Sequence, residues 1–148
     1  MSKQLELENA INASLTGESK TNAVDFSAYL DVNGMEYKEG QVSYNDTGIC
    51  HIYIDGSDQI PGPWTVWSDD SAVYENIDVS PDEQTRDIAW KHANVCGNCG
   101  GNCSPGTQKT IFGKEFNNIC TSTFMFTDPN AEELECIKKL LEIRIKSI

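Results

Sequence analysis

Ile49-Cys50-His51-Ile52-Tyr53-Ile54 sets the architecture of the chain. Its β-branched and aromatic density suits the pleated surface of a buried strand. Alternation puts Cys50, Ile52 and Ile54 on one side and Ile49, His51 and Tyr53 on the other. Upstream, Glu39 to Tyr44 leads into Asn45-Asp46-Thr47-Gly48, a turn signal. Downstream, Asp55-Gly56-Ser57-Asp58 breaks the strand, and Pro61-Gly62-Pro63 stiffens the approach to a further strand, Trp64-Thr65-Val66-Trp67. Trp64 and Trp67 are three residues apart, so without a bulge they point to opposite faces. These segments predict an antiparallel meander.

Toward the carboxy terminus, Lys109-Thr110-Ile111-Phe112-Gly113 precedes a last strand over Asn118 to Phe126. Asp128-Pro129-Asn130 then opens a helix, with Asn130 able to cap against Glu133. Leu134, Ile137, Leu141, Ile145 and Ile148 form its apolar stripe, widened by Leu140. Cys136 and Ile143 fall off that stripe, which leaves a homodimer contact and a broad buried face both open. Toward the amino terminus, Leu5, Leu7, Ile11 and Leu15 have helical spacing. A second helix, capped by Thr21 or Asn22, uses Val24, Ala28, Tyr29 and Val32 and ends at Asn33-Gly34. Ser80-Pro81-Asp82-Glu83 reads as a capping box for a third helix running to about His92. The expectation is one α+β domain over residues 1–148. An antiparallel sheet of four to five strands packs against N-terminal and C-terminal helices, and residues 1–20 are peripheral.

The 148 residues carry a formal charge of −12, and the charge is uneven. Residues 1–95 hold five basic and seventeen acidic side chains, whereas residues 96–148 hold six of each. Repulsion over the acidic part disfavours nucleic acid and anionic membranes as partners. With no apolar run of about 20 residues and a polar start after Met1-Ser2-Lys3-Gln4-Leu5, the expected location is the cytoplasm.

In a reducing compartment, clustered cysteines read as ligands or redox thiols rather than bridges. Cys96-Gly97-Asn98-Cys99-Gly100-Gly101-Asn102-Cys103-Ser104-Pro105-Gly106 has three of them among residues that build no core. A structural zinc through Cys96, Cys99, Cys103 and Cys120, with His92 as alternative fourth ligand, would order this loop, residues 96–106. Cys96-x-x-Cys99 follows a helix instead of opening one, which weighs against thioredoxin-like chemistry. No phosphate loop, nucleotide fingerprint or nucleophile elbow is present. His51, Trp64, Trp67 and Tyr74 form a candidate pocket for a small-molecule ligand, against the plainer reading of core and rim packing. The sequence thus predicts a cytosolic binding or accessory domain with a structural zinc and no catalytic residue. Thiol-redox or metal-dependent catalysis and a protein-interaction module are the alternatives.

Trp64-Thr65-Val66-Trp67, the cysteine loop, Ile111-Phe112-Gly113-Lys114-Glu115-Phe116 and the Leu134 to Ile145 helix together resemble a family of small cysteine-containing proteins of anaerobic, clostridia-like bacteria. The resemblance runs from about Val24 to the end. In organisation alone, strands followed by a carboxy-terminal helix resemble the small α+β domains called YjbR-like, which lack the dense cysteine loop. Neither resemblance implies an activity.

Overall fold

Three tight turns of one kind fold the sheet. In a computed structural model, which describes residues 5–54, 63–69, 71–76, 81–95 and 107–148, strands β1 (Glu36–Lys38), β2 (Gln41–Tyr44) and β3 (Thr47–Ile54) form consecutive antiparallel hairpins. Lys38 pairs with Gln41 across Glu39-Gly40, and Tyr44 with Thr47 across Asn45-Asp46. All four turn residues have positive φ, the backbone of the two-residue turn whose twist matches that of the strands it joins. Ile111 and Lys114 pair in the same way across Phe112-Gly113, joining β6 (Thr107–Ile111) to β7 (Lys114–Thr127). Phe112 is an unusual occupant at φ 48°, but its ring is buried, stacking on Phe124 and meeting Tyr74 edge-on. Packing there offsets a backbone state that β-turn statistics reserve for Gly and Asn.

Among the described residues the sheet has seven strands rather than four to five, in the order β1-β2-β3-β4-β7-β5, with β4 at Trp64–Ser68, β5 at Ala93–Val95 and β6 paired to β7 off that path. The excess over the sequence expectation comes from short pieces: β1 and β5 are three residues each, too short to show a period. The last strand begins at Lys114, four residues before the expected start. Val95 and Thr107 both register on Ile119, so β5 and β6 take opposite edges of β7, and β6 shares its edge with β4.

Helices α1 (Leu5–Ser14), α2 (Gly17–Val32), α3 (Glu83–Lys91) and α4 (Ala131–Lys146) flank the sheet. The α+β class is therefore as expected. Leu7, Ile11 and Leu15 are core residues, so α1, within the segment expected at the periphery, packs into the core. α2 starts at Gly17, ahead of the expected cap, and buries Ala23, Phe26, Ser27 and Leu30. Val24 and Val32, expected inward, are exposed. α3 is capped by Asp82, whose carboxylate accepts from the Thr85 amide at 3.2 Å, rather than by Ser80, which lies outside the described residues. In α4 the expected capping box is present, Asn130 Oδ1 accepting from the Glu133 amide at 2.8 Å and Glu133 Oε1 from the Asn130 amide at 3.0 Å. α4 buries Leu134, Cys136, Ile137, Leu140 and Leu141, and Ile143 packs partly buried against the same core. The off-stripe positions thus belong to a broad buried face.

The turns give a paired test. Asp46→Gly removes the cost of positive φ (65°) at an exposed position and should stabilise the protein by about 0.5–1 kcal/mol. Phe112→Gly relieves the same strain but deletes a buried ring and should destabilise it by about 3 kcal/mol. Urea midpoints of the two variants check both signs.

Candidate functional site

Outward-facing side chains of the central strands fall into one row. Gln41 registers on His51, His51 on Trp67 and Trp67 on Met125, so four neighbouring strands contribute one residue each. Tyr53, two residues along β3 from His51, brings its ring to 6.4 Å from that of Trp67. Gln41 and His51 are exposed, while Tyr53, Trp67 and Met125 are half-buried. Beside them Thr65, paired with Tyr53 and Thr127, is buried with its hydroxyl bonded to no protein group. The opposite face carries Val42, Cys50, Ile52, Val66 and Phe126, all in the core shared with the helices. Cross-strand aromatic pairs stabilise any sheet. This row also offers two aromatic rings, an imidazole and a polarizable thioether, exposed or half-buried.

The four residues of the sequence-predicted pocket are not brought together. His51 and Trp67 are neighbours in the row. Trp64 and Tyr74 are 1% and 0% exposed, within the core, where Trp64 meets Phe26 and Tyr74 meets Phe124. Tyr53, Gln41 and Met125 were not singled out by sequence. The alternation of β3 points to Tyr53, but Met125 joins only through a register that no local pattern encodes. A depression of about 620 Å³ lies elsewhere, beside α3, lined by residues that include Asp82, Glu83, Asp87, Ile88, Lys91 and Glu132. There the Thr85 hydroxyl and amide, followed by Lys139, hold the Asp82 carboxyl down at about 2.

The expected zinc centre is corrected. Among the described residues, no group of three or more His, Cys, Asp or Glu side chains is placed to hold a metal ion. His92, the alternative ligand, is engaged otherwise: Nε2 meets Glu133 Oε2 at 2.7 Å, and the ring stacks on Phe126 with centroids 4.3 Å apart. It sits at the C-cap of α3, and its carbonyl accepts from the Met125 amide at 3.0 Å. Cys96, Cys99 and Cys103 lie outside the described residues, as does the side chain of Cys120.

Cys50 and Cys136 are free, buried thiols. Burial raises both, Cys136 to about 12 and Cys50 further, with Asp69 adding to the rise at Cys50. Neither is a thiolate at neutral pH, and Cys136 Sγ is spent on the Thr85 carbonyl at 3.4 Å. Asp69, at the end of β4, is drawn up by partial burial against the pull of Arg144, whose Nε donates to Oδ2 at 2.9 Å. That pair ties the end of α4 to the sheet. Arg86 and Lys114 flank the Trp90 ring at 5.0 and 5.2 Å, and Trp90 Nε1 donates to the Ile111 carbonyl at 2.8 Å. This fixes α3 against β6 and sets two cations on an aromatic surface.

No family model, curated protein or solved structure matches the chain. Among the described residues, no helix is long and apolar enough to cross a membrane.

Pulse alkylation at pH 8 should leave Cys50 and Cys136 unmodified in the folded protein and label both in urea, as read by peptide mass mapping. Because folding raises both pKa values, their contribution to stability is whole below the unfolded value near 9 and declines as pH rises through and beyond it. Urea midpoints at pH 7 and pH 10 should therefore fall in that order.

Proposed function

We propose that this protein is a binding domain that engages a peptide segment of a partner protein across the open face of its sheet, through His51, Tyr53, Trp67 and Met125. The observation that carries the reading is the in-register row His51–Trp67–Met125 with Tyr53 against Trp67. An antiparallel sheet that faces water on one side ordinarily presents polar residues there. Here the middle of that face presents residue types enriched in interface cores, namely Trp, Tyr and Met. Small-molecule sites are concave clefts, and a row of side chains spread over neighbouring strands suits an extended partner better.

Among the described residues, the thiols of Cys50 and Cys136 are buried and protonated, so neither serves as a nucleophile. The same reading keeps the protein in a reducing cytoplasm, which its free Cys50 and Cys136 support.

The test is a peptide-display selection on the immobilised protein, followed by affinity measurement on Tyr53→Ala and Trp67→Ala. Both positions are half-buried, so the variants are first matched to the parent by circular dichroism. Selected peptides should lose about tenfold or more in affinity for each variant. Peptides that bind parent and variants equally would sink the reading, as would a selection yielding no binder.

A further inference from the structure

The peptide conformation that suits the outer row follows, given the peptide-binding reading, from where the row stands in the sheet. Gln41, His51, Trp67 and Met125 lie on β2, β3, β4 and β7, each of which has a strand on either side. A segment lying over them meets no open strand edge, so its own N–H groups gain no ladder partners. A β-extended peptide pressed on such a face would bury donors unsatisfied. Proline has no backbone N–H, and the polyproline II helix that it favours has no internal hydrogen bonds, leaving its carbonyls open to outside donors.

The side chains of the row match such a ligand. The His51 imidazole, the Trp67 indole and the Gln41 amide each supply an N–H, whereas proline residues supply acceptors only. The Tyr53 and Trp67 rings are inclined at 56° with centroids 6.4 Å apart, a wedge rather than a closed stack. Aromatic-lined surfaces take proline-rich segments because the preformed helix has little entropy left to lose.

Spacing agrees with this. Neighbouring strands stand about 4.8 Å apart, so backbone positions two strands apart in the row, His51 and Met125 or Gln41 and Trp67, are about 9.6 Å apart. A polyproline II helix turns once in three residues, about 9.3 Å, and so returns to the same face in step with the row. Same-side residues of a β-extended chain recur after about 6.8 Å and fall out of step. Charge then selects the flanks. The net charge of −12 lies wholly in residues 1–95, which supply β1 to β4, while Glu36 and Lys38 of β1, at the outer end of the row, offset each other. A partner with Lys or Arg beside its prolines is drawn to that field, and one with Asp or Glu is repelled. We propose that the outer face binds a proline-rich segment in the polyproline II conformation, laid across the strands with its prolines at Tyr53 and Trp67 and basic residues flanking them.

The test reads the composition of peptides selected from a random displayed library on the immobilised protein. Binders that depend on Trp67 should be enriched in prolines three residues apart with Lys or Arg adjacent. Replacing one such proline by alanine should cost about fivefold or more in affinity on the parent protein. On Trp67→Ala the same replacement should cost much less, since the two substitutions remove one contact. Should Trp67→Ala not fold, His51→Ala at its exposed position serves the same cycle. Exchanging a flanking Lys for Glu should weaken binding at low salt and less so at high salt. Trp67-dependent binders without proline enrichment would overturn the proposal and leave the peptide-binding reading standing. Proline losses equal on parent and variant would overturn it as well, and a selection with no binder overturns both.

Discussion

A strand longer than any of its partners must find hydrogen bonds for the surplus. β7 meets β5 on one edge and β4 and β6 in turn on the other, and the interval on the shared edge would leave amide groups buried and unpaired. Ser68, still paired with Cys50 of β3, and Asp69 resolve this beyond the last β4–β7 pair by offering a hydroxyl and a carbonyl to Phe124 and Thr123. The rest of the architecture follows from that diversion. It places Asp69 within reach of Arg144 near the end of α4, and it brings Tyr74 under the Phe112-Gly113 turn. A buried aromatic group can then hold that turn in a backbone state it would not choose alone.

The two faces of the sheet set their side chains in different environments. Titratable and nucleophilic groups on the helix side, Cys50, Tyr74 and Cys136, are enclosed by apolar neighbours, and burial suppresses their ionisation. They stabilise and specify the core rather than react. On the other side Trp67 stands in a cross-strand row with His51 and Met125. Trp64 and Trp67, three residues apart on one strand, serve these two environments separately, one as core and one as surface.

What the sequence made legible was local. The Asn130 and Glu133 capping box, the alternation around Ile52 and the end of α2 at Asn33-Gly34 each depend on residues within one turn or one strand, and the structure contains all three. The rest depends on what an element packs against. Leu7, Ile11 and Leu15 have visible helical spacing, but their burial requires a neighbouring layer that spacing cannot reveal. α2 shows two competing apolar faces, and Phe26 and Leu30 prevail over Val24 and Val32 because the larger side chains fill more core. Phe112-Gly113 obeys no turn rule in isolation. In the candidate site, His51 and Trp67 are readable as aromatic supply, whereas their pairing and the arrival of Met125 are set by long-range register. Cysteine spacing likewise counts potential ligands without placing them, and the other expected ligand, His92, finds Glu133 and Phe126 instead.

Backbone hydrogen exchange at Phe124 tests the role given to Ser68 most directly. In the parent protein this amide should belong to the slowest-exchanging set, together with the paired amides of β4 and β7. Ser68→Ala should accelerate Phe124 selectively while leaving the Val66–Phe126 ladder protected. Rapid exchange at Phe124 in the parent, or an unchanged rate in the variant, would contradict the account.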